Sequence, residues 1–197
     1  MLRKQLRPAV MMTLLLCVVT GFAYPGLVTV LAHTLFPRQA GGSLITMHGK
    51  VVGSELIGQA FMRPEYFHPR PSAAGNGYDA SNSGGSNKGP TDAKLADTLI
   101  TQRVDTAVAM DGAVKGQVPS DMVTASASGL DPDISPANAQ LQVARVAKAR
   151  GVDSAKVRAL LDAHTAGRQF GLLGEPRVNV LLLNIALDSA MPMPHAR

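Results

Sequence analysis

The chain contains no tryptophan, and phenylalanine and tyrosine together make up only 4% of its 197 residues. So few ring faces leave little for the stacking platform on which single-stranded nucleic acid lies. Cysteine occurs once, at Cys17 within an apolar stretch, so no disulfide can form inside the chain. Its folded part must be held by packing alone. Charge is sparse as well: 17% of residues are ionic, with a formal net charge of +5. Arg3, Lys4 and Arg7 supply most of that excess, because the sixteen cations from Arg38 onward face all fourteen acidic residues. A body so close to neutral has no basic stripe, and nucleic acid is not an expected partner.

Catalytic and ligand motifs are also scarce. Gly75 to Ala80 reads GNGYDA and fits the dinucleotide pattern formally, but it follows Pro69-Arg70-Pro71 rather than a strand, and the motif works only as a strand-to-helix turn. Lys88-Gly89 has the wrong order for a phosphate loop. Asp131 and Asp133 lie two apart, as calcium ligands do, without the rest of a calcium loop, and they read as turn residues ahead of Ser135. His48, His68 and His164 have no metal-ligand spacing. No metal site or catalytic residue is expected. One enzymatic alternative stays open, a membrane-anchored cell-envelope hydrolase using Ser72, Ser81, Ser83 or Ser86 with His68 and Asp79, although no G-x-S-x-G elbow accompanies them.

What the chain does have is one long apolar run. From Pro8 to Pro37 there is no Asp, Glu, Lys or Arg, and about 20 such residues suffice for a membrane-spanning helix. The expected division is a cytoplasmic N-terminus at 1–8, a transmembrane helix at 9–36 centred on Ala9 to Leu31, and an exported α+β domain at 37–197. The preceding Arg3, Lys4 and Arg7 favour the cytoplasmic side, which sends the remaining body across the membrane. Pro25 and Gly26 predict a kink within the span. A cleaved signal peptide ending near Gly21-Phe22-Ala23 competes with this reading, but the apolar pattern resumes at Leu27, Val28, Val30 and Leu31, which favours the span.

The body reads as a single α+β domain. Leu44 to Val52 predicts a hairpin about His48-Gly49. Ser54 to Phe61 is compatible with a short helix. Leu95, Leu99, Val104 and Val108 share one face of a helix from about Asp92 to Met110. Ser135-Pro136 opens a helix that Gly151 closes, with Ala139, Val143, Val146 and Ala147 as its apolar stripe and Arg145, Lys148 and Arg150 off it or near its cation-favouring end. Asp153 caps another helix, carrying Val157, Leu160 and Leu161 and ending by Gly167. Val178 to Leu187 fits a helix or a buried strand; the spacing of Val178, Leu182 and Ile185 favours the helix.

Between these elements lies HPRPSAAGNGYDASNSGGSNKGPTD, residues 68–92, whose composition is that of a linker. Against that stand Phe61, Tyr66, Phe67 and Tyr78, half of the chain's eight aromatics, together with prolines at 64, 69 and 71. Such residues predict an ordered loop whose Asn and Ser side chains satisfy its own backbone.

Five blocks, in order, resemble one family from end to end: GSELIGQAF (Gly53 to Phe61), YFHPRPSAAGNGYDASNSGGSNKGPT (Tyr66 to Thr91), VPSDMVTASASGLDPDISP (Val118 to Pro136), QVARVAKARGV (Gln142 to Val152) and GEPRVNVLLLNIALD (Gly174 to Asp188). The chain resembles the KdpC family, one of the components of the bacterial Kdp potassium-transporting ATPase. The resemblance implies a non-catalytic, single-pass protein of the inner membrane, with its C-terminal domain periplasmic. Its companions in the Kdp complex would be a channel-like potassium-translocating subunit, an ATP-hydrolysing P-type subunit and a very small single-span subunit. ATP and potassium would be handled by the complex, with no cofactor tightly bound here. The family is described as a catalytic chaperone that raises the ATP affinity of the hydrolysing subunit, and the resemblance places a nucleotide contact at Gln142. By spacing alone Gln142 is a polar helix-face residue, and the charge cluster sets it across the membrane from cytoplasmic ATP. Tyr66, Phe67, Asn76, Tyr78, Asn82 and Asn87 are the candidate interface residues of the loop.

Overall fold

The structure is a computed structural model that describes residues 2–193. Its chain forms two compact units, Met1–Val52 and Gly53–Arg197.

In the first unit, α1 (Leu2–Val18), a π-helical turn (Val19–Ala23) and α2 (Tyr24–Leu35) run on as one helix. Its stretch Lys4–Leu35 has 32 residues and is apolar enough to cross a membrane. At 1.5 Å per residue this is about 48 Å, more than the ~30 Å hydrocarbon core. The π turn explains how the helix passes Pro25. Proline brings no N–H and pushes its ring toward the carbonyl of residue 21, and the wider turn over Val19–Ala23 relieves that conflict. Thr20 and Thr34 return their hydroxyl protons to the carbonyls of Leu16 and Val30 at 2.7 and 2.9 Å, so neither needs an outside acceptor. After α3 (Pro37–Ala40) come β1 (Leu44–Met47) and β2 (Lys50–Ser54), paired in the expected hairpin. His48 and Gly49 both take positive φ, 50° and 75°, the pattern whose twist matches a two-residue hairpin turn.

The second unit begins with a departure from expectation. Ser54 ends β2, and the residues from there to Phe61 form a turn and irregular backbone rather than a helix. Gly58 lies so close to the backbone of Leu130 and Asp131 that a Cβ would sit 2.5 Å from the Asp131 carbonyl oxygen, and its N–H bonds to the Leu130 carbonyl at 2.8 Å. That tertiary contact overrides the weak local helix preference. The next helix opens with a π-helical segment (Lys94–Ile100) and continues as α4 (Thr101–Asp111), ended by Gly112 at φ 68°. Leu95, Leu99, Val104 and Val108 are each half-buried, as befits a helix at the edge of the core.

Past α5 (Ser120–Val123) and β3 (Asp133–Ile134) the chain forms α6 (Pro136–Arg150), α7 (Ser154–Ala163), β4 (Thr165–Ala166), β5 (Arg177–Asn179) and α8 (Val180–Ala190). Ser135 caps α6 by accepting from the Asn138 N–H at 3.1 Å, and Asp153 caps α7 through Ala155 at 2.9 Å. The strands make a small antiparallel sheet in the order β3-β5-β4, with Val178 opposite both Ile134 and Thr165. Val178 therefore belongs to a strand, not to the single helix expected from Val178 to Leu187. Its side chain satisfies both periods; the break falls at Asn179, whose side chain accepts from the Leu182 N–H at 3.1 Å and starts α8. The core gathers the α6 stripe Ala139, Val143, Val146 and Ala147 with Val157 and Leu161 of α7, Leu183 and Leu187 of α8, and the ring of Phe67.

Candidate functional site

Phe67 sits in that core although its neighbours in sequence form no regular element. The reason is an uninterrupted set of hydrogen bonds from side chains of α6 and α8 to the backbone of residues 64–68. Arg145 donates to the carbonyls of Pro64 and Tyr66 at 2.7 and 2.9 Å. Arg150 donates to the carbonyl of Glu65 at 2.8 Å. The Asn184 amide donates to the Phe67 carbonyl at 3.0 Å and accepts from its N–H at 2.8 Å. The Gln142 amide does the same for His68, at 3.0 and 2.7 Å. Five consecutive carbonyls thus find partners without a neighbouring strand. Two side-chain amides imitate the donor–acceptor pair that a strand would offer.

The cations that do this work are themselves held. Arg145 Nε pairs with Asp111 Oδ1 at 2.7 Å, both side chains only 6% and 5% exposed. Arg150 reaches Asp188 Oδ1 and the Met191 carbonyl, each at 2.8 Å, and lies 5.0 Å from the centroid of the Tyr66 ring. The Tyr66 hydroxyl donates to Asp188 Oδ2 at 3.0 Å. Burial, and then that bond to a carboxylate, push the Tyr66 hydroxyl above its ordinary pKa. Burial and the nearby Arg145 charge hold the His68 ring below its ordinary value, so it stays neutral near pH 7.

Beyond His68 the loop is fastened to residues 126–131. Arg70 pairs with Asp131 at 2.9 Å. Ser72 Oγ donates to the Gly129 carbonyl at 2.6 Å and accepts from the N–H groups of Ala74 and Tyr78. The Tyr78 hydroxyl donates to the Arg70 carbonyl, and burial raises the pKa of that hydroxyl. Ser83 and Gly84 both bond the Ser128 carbonyl at 2.9 Å. Asp131 Oδ1 accepts from the Asp133 N–H at 3.0 Å, the turn chemistry expected for this pair. Between the loop and α4 lies a cavity of about 410 Å³, lined among others by Phe61, His68, Arg70, Tyr78, Arg103 and Met110. Arg70 Nε is buried without a hydrogen-bond partner.

The sequence-derived candidates separate into three groups. Gln142 is 1% exposed, and each polar atom of its amide has two partners: the oxygen also accepts from Arg145 Nη2 at 2.6 Å and the nitrogen also donates to Asn138 Oδ1 at 2.8 Å. Phe67 has no exposed surface at all, so its side chain serves the core rather than an interface. Tyr66 and Tyr78 are half-buried, and Asn76, Asn82 and Asn87 are exposed. Sequence reading missed Arg145, Arg150 and Asn184 as the groups that position the loop. Their only signal was a polar or cationic residue on a helix that otherwise packs inward. It also missed the tip Phe170, Leu172 and Leu173, an apolar cluster set between glycines.

Comparison with known proteins completes this picture. The family described as K+-transporting ATPase, c chain, matches residues 6–189. A potassium-transporting ATPase KdpC subunit of Gemmatimonas aurantiaca is 64% identical over 187 residues, which cover 94% of this chain and 93% of that relative. The same-named subunits of Koribacter versatilis and Rhodospirillum rubrum are 52% and 55% identical, over 100% and 98% of this chain and 100% and 99% of theirs. With a family match running from the apolar helix to the last turn of α8, the chain belongs to the KdpC family of potassium-transporting ATPase subunits.

Proposed function

We propose that this chain is the accessory, non-catalytic component of its potassium pump, anchored once in the bacterial inner membrane with its N-terminus cytoplasmic and its body periplasmic. Arg3, Lys4 and Arg7 before the apolar helix support that orientation. The companions are a channel-like potassium-translocating subunit, an ATP-hydrolysing subunit and a small single-span subunit, which handle ATP and potassium between them.

One observation carries the reading. The polar side chains most suited to chemistry are engaged in holding the chain's own loop: Gln142, Asn184, Arg145 and Arg150 all serve the backbone of residues 64–68. Such a body offers partners a surface of fixed shape. On this reading Gln142 braces the loop and does not bind nucleotide, and any gain in ATP affinity reaches the hydrolysing subunit through assembly. The hydrolase alternative is disfavoured by other bonds of the loop, since Ser72 Oγ is tied to Gly129, Ala74 and Tyr78, and the His68 ring bonds the Arg63 carbonyl at 3.0 Å.

Co-expressing the other ATPase chains with and without this one tests the proposal. Omission is expected to abolish potassium-stimulated ATP hydrolysis and to leave the remaining chains incompletely assembled. Full assembly and unchanged turnover without it would sink the reading.

A further inference from the structure

Between β4 and β5 the chain leaves the sheet and returns as a short finger, residues 167–176. Its tip carries Phe170, Leu172 and Leu173, which are 85%, 81% and 60% exposed. A soluble surface scatters such residues singly; three together at a projecting tip mark an interaction site. The finger is built, not slack. Gln169 and Leu173 bridge the neck, with the Gln169 N–H on the Leu173 carbonyl at 2.8 Å and the Leu173 N–H returning to Gln169 at 2.9 Å. Arg168 closes the base through two bonds to Glu175 at 2.7 and 2.9 Å.

Phe170 itself stands at φ 54°, a left-handed conformation that an aromatic residue rarely adopts, and Gly171 and Gly174 follow at φ 74°. That conformation turns the Phe170 ring out when burying it would be the ordinary outcome for a phenylalanine.

The charges nearby bear on the occupant. Arg168 is paired with Glu175, and Arg177 with Asp133 at 3.0 Å. The finger therefore presents no unpaired arginine at its base, whereas adhesion to an anionic lipid surface draws on free basic residues. Its apolar tip with self-neutralised flanks matches an uncharged socket in a protein.

We infer that the finger is a docking knob that seats Phe170, Leu172 and Leu173 in an apolar socket of another chain of the same potassium-transporting ATPase. This rests on the accessory-component reading above and adds to it the contact residues. The interface so defined differs from the asparagine-rich loop that composition singled out.

The test uses the full-length chain co-expressed with the other ATPase chains and purified in detergent, where no bilayer remains to mask a lipid contact. Leu172→Asp and Phe170→Ala should each lower the amount recovered with the complex by at least roughly tenfold. Leu172→Met should restore recovery, and the melting temperature of the purified chain should stay unchanged. A photo-crosslinking benzophenone amino acid at position 172, in intact cells, should give an adduct with another ATPase chain. Wild-type recovery of Leu172→Asp would overturn the inference, as would adducts formed only with lipid or with a second copy of this chain. A lowered melting temperature would also overturn it, by making the tip part of the fold. If the wild-type chain itself does not co-purify, the accessory-component reading falls and takes the finger with it. Co-purification of both wild type and variants sinks the finger alone.

Discussion

Replacing Gln142 with leucine keeps the volume of the side chain and deletes its amide. Gln142→Leu leaves the N–H and carbonyl of His68 without the partners they hold at 2.7 and 3.0 Å, in a place where the glutamine is 1% exposed. A buried backbone group stripped of its partner costs about 1–3 kcal/mol, and part of that is recovered as the loop relaxes toward water. Arg145 Nη2 and Asn138 Oδ1 also lose a partner, though Arg145 keeps Asp111 and two backbone carbonyls. Taking the low end for each His68 group and about 1 kcal/mol for the rest gives a loss of about 3 kcal/mol. For a body of this size that is a fall of roughly 10 °C in melting temperature. Thermal unfolding of the full-length chain in detergent measures it, alongside the ATP dependence of hydrolysis by the assembled complex. Expected are a large drop in melting temperature and an ATP affinity that is normal whenever the complex assembles. An unchanged melting temperature with weakened ATP affinity would refute the brace and restore the nucleotide contact that family resemblance placed at this residue.

Two other perturbations have definite signs. A Cβ at Gly129, whose φ is 69°, would lie 2.6 Å from the Ala74 nitrogen and 2.7 Å from the Gly84 carbonyl oxygen, so Gly129→Ala should cost roughly 3 kcal/mol. Gly151→Ala, at φ 65° with nothing within 4 Å, should cost only about 1 kcal/mol, and melting curves of the two variants should rank them in that order. His68 is held below its ordinary pKa of 6.5 in the folded chain by burial and by Arg145, against a smaller opposing pull from Arg63 and Asp111. Its contribution to stability is present above about pH 6.5, where the unfolded histidine is also neutral, and is lost as the pH falls through the folded value. Melting temperatures between pH 7.5 and 5.5 should fall more steeply for the wild type than for His68→Asn; equal slopes would contradict the assignment.

Much of the fold was legible because local chemistry and tertiary packing agree. Ser135-Pro136 and Gly151 bound α6 as expected, since a cap, a first-turn proline and a left-handed stop each act within one turn. The hairpin at His48-Gly49 and the apolar helix follow from equally local signals. Where neighbours distant in sequence decide the outcome, reading failed. Ser54 to Phe61 is drawn out by Leu130, seventy residues away. Val178 is claimed by strands on both sides.

The loop shows both sides of this. Its aromatics correctly signalled order, yet Phe67 is a core residue, and the aromatic that stands out from the body is Phe170. Arg145 and Arg150 sit off the apolar stripe of α6, and that position gave no hint that their guanidinium groups turn inward to carbonyls more than 75 residues earlier.

The clamp on residues 64–68 also sets an order of events. Its bonds join residues separated by 74 to 117 positions, and the last of them needs Asn184. Contacts of such long separation form late, because loop closure must come first. The Phe67 ring and the loop that follows it therefore wait for α8, the last helix among the described residues. A body truncated before Asn184 would keep the α6 and α7 sequences but leave residues 67–68 half-fastened. The shape of this surface is in that sense conditional on α8, displayed only once the segment carrying Asn184 has been made and docked.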